Sequence, residues 1–275
     1  MMNEFFEANK ELWDAKVDIH KDSEFYNVKG FIEGKETLDP IEIEEVGDVT
    51  GKSLLHLQCH FGLDTMSWAR RGAKAVGVDF SGEAIKLACA LAERTGLRTK
   101  FIESNIYDLP EYLDEQFDIV FTSEGAIMWL NDLEKWAEII SQFLKPGGFF
   151  YIREFHPFGY MFDNECEEPV LKVRYPYFHG KEPMGYISEN TYSDPAKKME
   201  PKTAYEWNHS ISRIINALTR VGLRIEFFNE FPFTTFQDLP FMIKNPDGRY
   251  VLPDSMVEIP WLFSLKASKP YPHTH

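Results

Sequence analysis

Short apolar runs and helically spaced apolar residues alternate through the first half of the chain. The apolar runs, bounded by glycines or polar turns, predict five strands, at 53–58, 73–80, 99–104, 117–123 and 149–155. Helical spacing is found between them, at 62–72, 82–95 and 132–144. Near-continuous apolar strands that alternate with helices are typical of a parallel sheet covered on both faces. The pattern therefore predicts an α/β fold with a doubly wound sheet.

The pattern changes after residue 156. Residues 157–206 are rich in aromatic residues, proline and glycine. Within them, VLKVRYPYF (170–178) and GYISENTYS (185–193) predict two antiparallel strands around the turn HGKEPM. We therefore expect a β-rich insertion after strand five.

Regular elements are also predicted at both ends of the chain. NEFFEANKELWDAK predicts a helix near the N-terminus, and IEIEEVGDVTG predicts an acidic loop before the first core strand. A predicted helix at 210–222 follows the insertion, and strands at 223–231 and 259–268 bring the mostly parallel sheet to seven. We expect a helical segment at 1–50 and a core domain at 51–275.

Composition narrows the class of protein. A chain of 275 residues with 44% hydrophobic residues can bury a full core. Its formal net charge is −15, from 44 acidic and 29 basic residues, and no run of lysine or arginine forms a basic patch. Nucleic acid would be repelled by this charge, so we expect no nucleic-acid partner.

Cysteine use and hydropathy indicate the cellular context. Cys59, Cys89 and Cys166 are widely spaced, which fits a reducing compartment better than a disulfide framework or a metal site. No segment reaches the roughly 18 apolar residues that a membrane span needs, and the N-terminus lacks a targeting pattern. We expect a cytoplasmic, soluble monomer or homodimer with no metal and no membrane partner.

The ends of the five strands carry the residues best suited to binding, because ligands of an open parallel sheet lie beyond the carboxyl ends of its strands. Asp79 ends the second strand and offers two carboxylate oxygens to the vicinal hydroxyls of a ribose. The alternative is that Asp79 caps the following helix beside Ser81. The other strand-end residues are the loop 58–62, Asn105, Ile106, Ser123, Glu124, Glu154 and His156.

The first strand end, in SLLHLQCHFGLDT (53–65), indicates which cofactor such a sheet would take. A dinucleotide presses its pyrophosphate against the backbone of a G-x-G-x-x-G turn, and only Gly62 of that pattern is present. The side chains of Gln58 and His60 would stand where the phosphates approach, which argues against NAD. S-adenosylmethionine has no phosphate, so both side chains are tolerable beside it.

Five segments between Ser53 and Ile152 resemble class I S-adenosylmethionine-dependent methyltransferases in order and spacing. They are LLHLQCHFG, VGVDFS, FIESNIYDLP, FDIVFTSEGAIMWLND and FLKPGGFFYI. The phrase HLQCHFG departs from the family's acidic-L-G-C-G-x-G loop and resembles a bacterial small-molecule branch of unassigned substrate. The resemblance implies a Rossmann-like fold, S-adenosylmethionine as cofactor, and in-line methyl transfer to an O or N atom of a small-molecule acceptor.

The resemblance also implies roles for individual residues. Asp79 would bind the ribose, Phe80 would lie against the adenine, and Asn105 and Ile106 would contact the adenine edge. For Phe80 and Ile106 the alternative is simple core packing. The residues implied to surround the methionine part, with Gln58 the favoured contact, are His56, Gln58, His60, Gly62, Ser123 and Glu124.

A protonated acceptor would also need a general base. Histidine is the usual choice, because its pKa lies near working pH. His156 and Glu154, after strand five, and His209, before the helix at 210–222, lie at the expected edge of the site. The alternatives are structural: a histidine hydrogen-bonded to backbone, and a glutamate in a strand-end salt bridge.

The acceptor side is predicted from aromatic residues in and beside 157–206. They suit a pocket for an aromatic or apolar acceptor, a cage for a cationic amine, or the small core of the insertion itself. The aromatic residues in question are Phe155, Phe158, Tyr160, Phe162, Tyr175, Tyr177, Phe178, Tyr186 and Trp207.

Two further expectations concern the lid and the activity. The resemblance implies that the first helix, with Trp13 and followed by His20 and Tyr26, folds over the cofactor as a lid, although Trp13 could equally pack within its own helix. The lid would then be 1–50 and the substrate-side insertion 157–206. The alternative function is a non-catalytic sensor or interaction protein that binds S-adenosylmethionine.

Overall fold

The structure is a computed structural model that describes residues 2–178, 180 and 182–272. The strands are β1 (Ser53–Leu57), β2 (Lys74–Asp79), β3 (Lys100–Glu103), β4 (Phe117–Thr122), β5 (Leu144–Phe155), β6 (Met184–Ser188), β7 (Lys202–Glu206), β8 (Arg224–Phe231), β9 (Ile243–Lys244), β10 (Tyr250–Val251) and β11 (Leu262–Ser268). The α-helices are α1 (Met2–Asp22), α2 (Val28–Ile32), α3 (Pro40–Val46), α4 (Leu63–Arg70), α5 (Gly82–Thr95), α6 (Leu133–Phe143) and α7 (Ile211–Arg220). Short 3-10 helices are formed by Ile106–Glu111, Ile127–Trp129 and Gly159–Met161.

Seven strands form one sheet in the order β3-β2-β1-β4-β5-β11-β8. Strands β1 to β5 pair in parallel, whereas β11 is antiparallel to both β5 and β8. The register sets Leu57 opposite Val78 and Asp79 opposite Glu103, so the carboxyl ends of the parallel strands meet at one edge. The predicted doubly wound, mostly parallel seven-stranded sheet is confirmed.

Alternate residues of the central strands supply two cores, one on each face of the sheet. Val120 packs with Trp136 of α6, while its neighbours Ile119 and Phe121 pack with Trp68 of α4. This alternation follows from the period of two along a strand. Each large apolar side chain removed from water contributes roughly 1.5–3 kcal/mol, so the two layers hold the strand ends in place.

The N-terminal segment is more helical than its sequence pattern predicts. The acidic stretch predicted as a loop begins with α3, so that prediction is wrong for its first part. Asp39 accepts a backbone N–H of the first turn at 2.9 Å, and Glu42 reaches back to the Asp39 N–H at 2.9 Å. This reciprocal cap, with Pro40 in the first turn, stabilises a short helix. None of the helices in the described residues is long and apolar enough to cross a membrane.

The β-rich insertion after β5 is confirmed, but its strand pairing differs from the prediction. Strand β6 pairs with β7. The predicted strand at 170–178 is wrong, since this stretch makes a single isolated bridge, at Val173. Pro176 has no N–H to donate to a ladder, and none of residues 170–178 is buried, so the stretch lacks one ladder donor and a buried face. Residues 179 and 181 of the predicted turn HGKEPM lie outside the described residues.

Candidate functional site

A cavity of about 1100 Å³ lies at the carboxyl ends of β1, β2, β4 and β5. Residues of α1, of the insertion and of the segment between β8 and β9 complete its wall. The structure therefore brings together most of the residues predicted to bind the cofactor. Those that line the cavity are Gln58, His60, Gly62, Asp79, Phe80, Ser123 and Glu124.

In the loop after β1, two residues that are not glycine adopt backbone angles that favour glycine. Gln58 and His60 have φ angles of 57° and 50°, and Gly62 has 74°. A side chain in this left-handed region costs roughly 1–3 kcal/mol, and such strain persists where surrounding contacts enforce it. Here the Gln58 amide donates to the Ala126 carbonyl at 2.7 Å, and the backbone N–H of His60 donates to Asp79 at 2.8 Å.

Gly62 is required for a steric reason as well. A Cβ at this position would overlap the ring of Phe101 and would come within 3.3 Å of the Ala88 side chain. Gly62 also precedes α4 and serves as its N-cap residue. Position 62 therefore has no room for a side chain, because Phe101 of β3 fills the space beside it.

Asp79 ends β2 and links the loop to the next helix. One carboxylate oxygen accepts the His60 N–H at 2.8 Å, and the other accepts the Ser81 N–H at 2.9 Å. Burial raises the pKa of Asp79 to about 6, although these N–H donors oppose the rise. Asp79 thus supports the loop and borders the cavity, whereas the N-cap of α5 is supplied by Ser81.

His56 lies beneath the loop and outside the cavity wall. Its ring is 1% exposed and hydrogen-bonds to the Thr65 hydroxyl at 2.9 Å and the Ser123 hydroxyl at 3.2 Å. Burial lowers the pKa of His56 to about 3, so the ring is neutral. His56 therefore positions Ser123, which does line the cavity.

Asn105 and Ile106 are also absent from the cavity-lining residues. The Asn105 side chain accepts the Tyr107 N–H at 3.1 Å and caps the 3-10 helix that follows β3. Ile106 is 3% exposed and belongs to the core on the α6 face. Their predicted contact with adenine stays a prediction.

Glu154 shapes the turn after β4. Its carboxylate accepts the backbone N–H groups of Gly125, Ala126 and Ile127 at 2.6, 2.8 and 3.0 Å. Burial raises the pKa of Glu154, against the effect of these donors. The turn held in this way presents the Ala126 carbonyl that orients Gln58.

The two predicted catalytic histidines have partners within the protein. His156 lies 3.0 Å from a Glu230 carboxylate oxygen, and its other ring nitrogen accepts the Phe158 N–H at 3.2 Å. The Nε2 of His209 lies 2.6 Å from the Leu130 carbonyl. His156, His209 and Glu154 are all absent from the cavity wall, so the geometry gives their predicted catalytic role no support.

A buried arginine among carboxylates was not predicted. Arg153 is 5% exposed and lies 3.4 Å from Glu124, 3.5 Å from Glu42 and 3.7 Å from Asp39. Burial raises the pKa of Glu124 and of nearby Asp64 to about 7. An arginine inside the apolar run FFYIREF signals a buried ion pair, but the run does not reveal the partners.

Side chains from the N-terminal segment and the insertion meet above the loop. His20 hydrogen-bonds to His60 at 2.8 Å and to the Thr191 hydroxyl at 2.7 Å, and the hydroxyls of Tyr26 and Tyr192 pair. Burial lowers the pKa of His20 to about 2 and that of His60 to about 3, so both rings are neutral. These partners lie far apart in sequence, so no local pattern could reveal them.

Known proteins resemble this chain in sequence over part of its length and in fold. Residues 55–152 match the family described as "Methyltransferase domain". A crystal structure of an S-adenosylmethionine-dependent methyltransferase from Clostridium acetobutylicum has the fold of the whole chain, with a TM-score of 0.56 at 15% identity over 94% of this chain and 97% of that one.

Two curated proteins that are similar to this chain also carry methyltransferase names. The ubiquinone biosynthesis O-methyltransferase of Photorhabdus laumondii is 25% identical over 130 residues, which cover 46% of this chain and 54% of that protein. The uncharacterized methyltransferase YbaJ of Bacillus subtilis is 26% identical over 242 residues, 83% of this chain and 91% of that protein. The chain thus spans about half the length of the first of these relatives.

Proposed function

We propose that this protein is a methyltransferase that transfers the methyl group of S-adenosylmethionine to an oxygen or nitrogen atom of a small-molecule acceptor. The observation that carries this proposal is the Gln58 side chain, whose Oε1 is buried without a hydrogen-bond partner at the cavity wall. Leaving a buried acceptor unpaired costs roughly 1–3 kcal/mol. The ammonium group of the cofactor's methionine part is a donor that would satisfy it.

The remaining wall near Gln58 fits the same cofactor. Asp79 offers acceptors for the ribose hydroxyls, and Phe80 offers a ring face for the adenine. His60 occupies a left-handed turn position where a pyrophosphate would need bare backbone. We therefore assign the methionine part to Gln58, His60, Gly62, Ser123 and Glu124.

The cavity has room for an acceptor beside the cofactor. Its volume of about 1100 Å³ exceeds the roughly 300–1,000 Å³ typical of sites for one small ligand. A non-catalytic sensor would need no second compartment, and the match of residues 55–152 to a methyltransferase domain also disfavours that alternative.

When bound, the cofactor supplies an electrophilic methyl group, so the protein mainly aligns the acceptor and excludes water. Glu124 lines the cavity, and burial raises its pKa to about 7. It is therefore better placed than His156 or His209 to take a proton from the acceptor.

Residues 1–50 form the proposed lid, and 157–206 form the proposed substrate-side segment. Trp13 and Tyr26 line the cavity, and His20 joins α1 to both His60 and Thr191. Binding would require these contacts to open, because they span the space above the loop.

Calorimetric titration of the full chain with S-adenosylmethionine and with NAD tests the cofactor. We expect binding of S-adenosylmethionine alone, and Asp79→Ala should weaken it by about 1–3 kcal/mol, the range for losing hydrogen bonds to a charged group. Asp114→Ala, at an exposed position, is the control. Binding of NAD alone, or unchanged affinity in Asp79→Ala, would contradict the assignment; methyl transfer to amines, phenols and alcohols then tests the activity.

A further inference from the structure

One side of the cavity is a continuous wall of aromatic rings. Ring centroids of Tyr192 and Phe236 lie 5.8 Å apart, those of Phe236 and Phe155 lie 5.1 Å apart, and those of Phe155 and Tyr160 lie 6.5 Å apart. All four residues line the cavity. Together with Glu124 and Asp238, these four residues are called the aromatic half of the cavity below.

The two carboxylates of the aromatic half, Glu124 and Asp238, line the same cavity as its rings. Burial raises the pKa of Tyr192 and of Tyr160, and the charges of Glu124 and Asp238 add to the rise at Tyr192 and Tyr160 respectively. Burial alone raises the pKa of Asp238 to about 7. A cation placed between these groups would favour their charged forms and would be attracted by the rings as well.

The charges along the whole cavity wall also favour a cationic ligand. Among its described residues, the cations that are not exposed are Lys16 and Arg153. Lys16 lies 5.0 Å from the Trp13 ring centroid, and Arg153 is surrounded by carboxylates. An anionic acceptor would meet net repulsion in this cavity. The carboxylates of the wall that are not exposed are Asp39, Glu42, Asp64, Asp79, Glu124, Glu206 and Asp238.

An independent observation comes from Asn208, which lines the cavity and is 9% exposed. Its amide nitrogen is directed to the Pro157 carbonyl at 3.4 Å, while its Oδ1 is buried without a hydrogen-bond partner. A buried unpaired acceptor calls for a donor. The N–H groups of an ammonium ion would supply it, whereas a carboxylate could not.

We propose that the methyl acceptor is a small amine that binds as its ammonium ion, held by the aromatic half of the cavity and by Asn208 Oδ1. This inference rests on the proposed methyltransferase function and narrows its acceptor to nitrogen. Glu124 would take one proton from the bound ammonium ion, which would free the nitrogen lone pair to attack the methyl group. The bond between that methyl group and the sulfonium sulfur of S-adenosylmethionine would break, which leaves a neutral thioether. Ring faces and carboxylates both attract a desolvated cation, and both attract a neutral ligand of the same shape more weakly.

Binding to the full chain saturated with S-adenosylhomocysteine tests the amine without turnover. Benzylamine, benzyl alcohol and benzoate share one ring and differ in charge, and calorimetry at pH 7.5 measures each. We expect benzylamine to bind about tenfold more tightly than benzyl alcohol, and benzoate more weakly than either. Equal affinity for benzylamine and benzyl alcohol would overturn the inference.

Matched variants locate the effect. Glu124→Gln and Asp238→Asn keep side-chain shape, and each should weaken benzylamine at least about fivefold while changing benzyl alcohol less than about twofold. Glu24→Gln removes a charge at an exposed position of the rim and should leave the preference intact. Loss of the preference in Glu24→Gln but not in the other two would overturn the assignment to the aromatic half.

The same titrations separate this inference from the function on which it rests. Binding of S-adenosylmethionine to the full chain is measured first, by the same calorimetry. If the cofactor binds and benzylamine shows no preference, the amine inference alone fails. If S-adenosylmethionine does not bind, the proposed function fails and the amine inference fails with it.

Discussion

The aromatic half of the cavity and the loop half, formed by Gln58, His60, Gly62 and Asp79, differ in the contacts that set their geometry. Hydrogen bonds of 2.7–2.9 Å hold Gln58, His60 and Asp79 against neighbouring strand ends. Ring contacts with centroids 5.1–6.5 Å apart join the segments of the aromatic half. Hydrogen bonds are directional, whereas ring contacts tolerate displacement. The loop half therefore suits one fixed ligand, and the aromatic half can adjust to its ligand.

The largest expected effect is a loss of stability when Gly62 of the loop half is substituted. Gly62→Ala places a methyl group against Phe101 at a φ of 74°, so strain and overpacking add to about 2–4 kcal/mol of lost stability. Chemical denaturation of the whole chain measures this loss. Gly96→Ala is the matched control, because its φ is 68° but no atom lies within 4 Å of the new Cβ. Equal losses in both variants would mean that Phe101 does not restrict the loop.

The second-largest effect concerns the aromatic half, where protein stability should depend on the protonation of Asp238. Burial raises the pKa of Asp238 from 3.8 to about 7, so the folded state holds the proton more tightly and loses stability as the pH rises towards 7. Asp238→Asn avoids that loss and should be more stable than the parent by about 1–3 kcal/mol at pH 8, with no gain at pH 4.

Thermal unfolding at both pH values measures this difference. Asp254→Asn, which makes the same change at an exposed position, is the matched control. A gain for Asp238→Asn at pH 4 that equals the gain at pH 8 would rule out titration of Asp238 as its cause.

A smaller effect separates stability from binding in the loop half. Gln58→Gly relieves a left-handed side chain, so stability should stay level or rise, while affinity for S-adenosylmethionine should fall by about 1–2 kcal/mol. Denaturation and calorimetry on the same variant test both directions. Unchanged affinity would remove Gln58 from the proposed cofactor contacts.

The smallest expected effect concerns the contact between the insertion and the N-terminal segment. Tyr192→Phe removes the hydroxyl that pairs with Tyr26 and should cost about 0.5–1 kcal/mol of stability. Tyr112→Phe is the control, because Tyr112 is 60% exposed. A null result for Tyr192→Phe in thermal unfolding would show that this pair does not hold the two segments together.

The regular part of the fold could be predicted because its signals are local. Apolar runs between Ser53 and Phe155 have the right length and spacing for parallel strands, and Ser81 and Asp132 mark helix starts as caps. The predicted strand at 170–178 failed because an apolar run specifies a strand only when a partner strand and a buried face exist. Neither condition can be seen in the run itself.

The sequence predicted correctly only those residues of the candidate site that lie at the ends of strands. Gln58 and Ser123 directly follow their strands and Asp79 ends β2, so topology brings all three to the cavity. His156 and His209 also lie near element ends, but their rings point to Glu230 and Leu130. Side-chain direction depends on contacts with remote segments, which a pattern of residue types does not encode.

By itself, the amino-acid sequence determined the parallel sheet, the edge of the sheet at which the candidate site lies and the loop that lacks two glycines. Tertiary structure alone decided that Gln58 and His60 adopt a glycine-like backbone, and that Arg153 lies among Asp39, Glu42 and Glu124. The physical reason is the separation along the chain of the residues that interact. Hydrophobic periodicity acts between residues a few positions apart, whereas the strain in the loop and the buried charges are held by partners from distant segments that meet only in the folded chain.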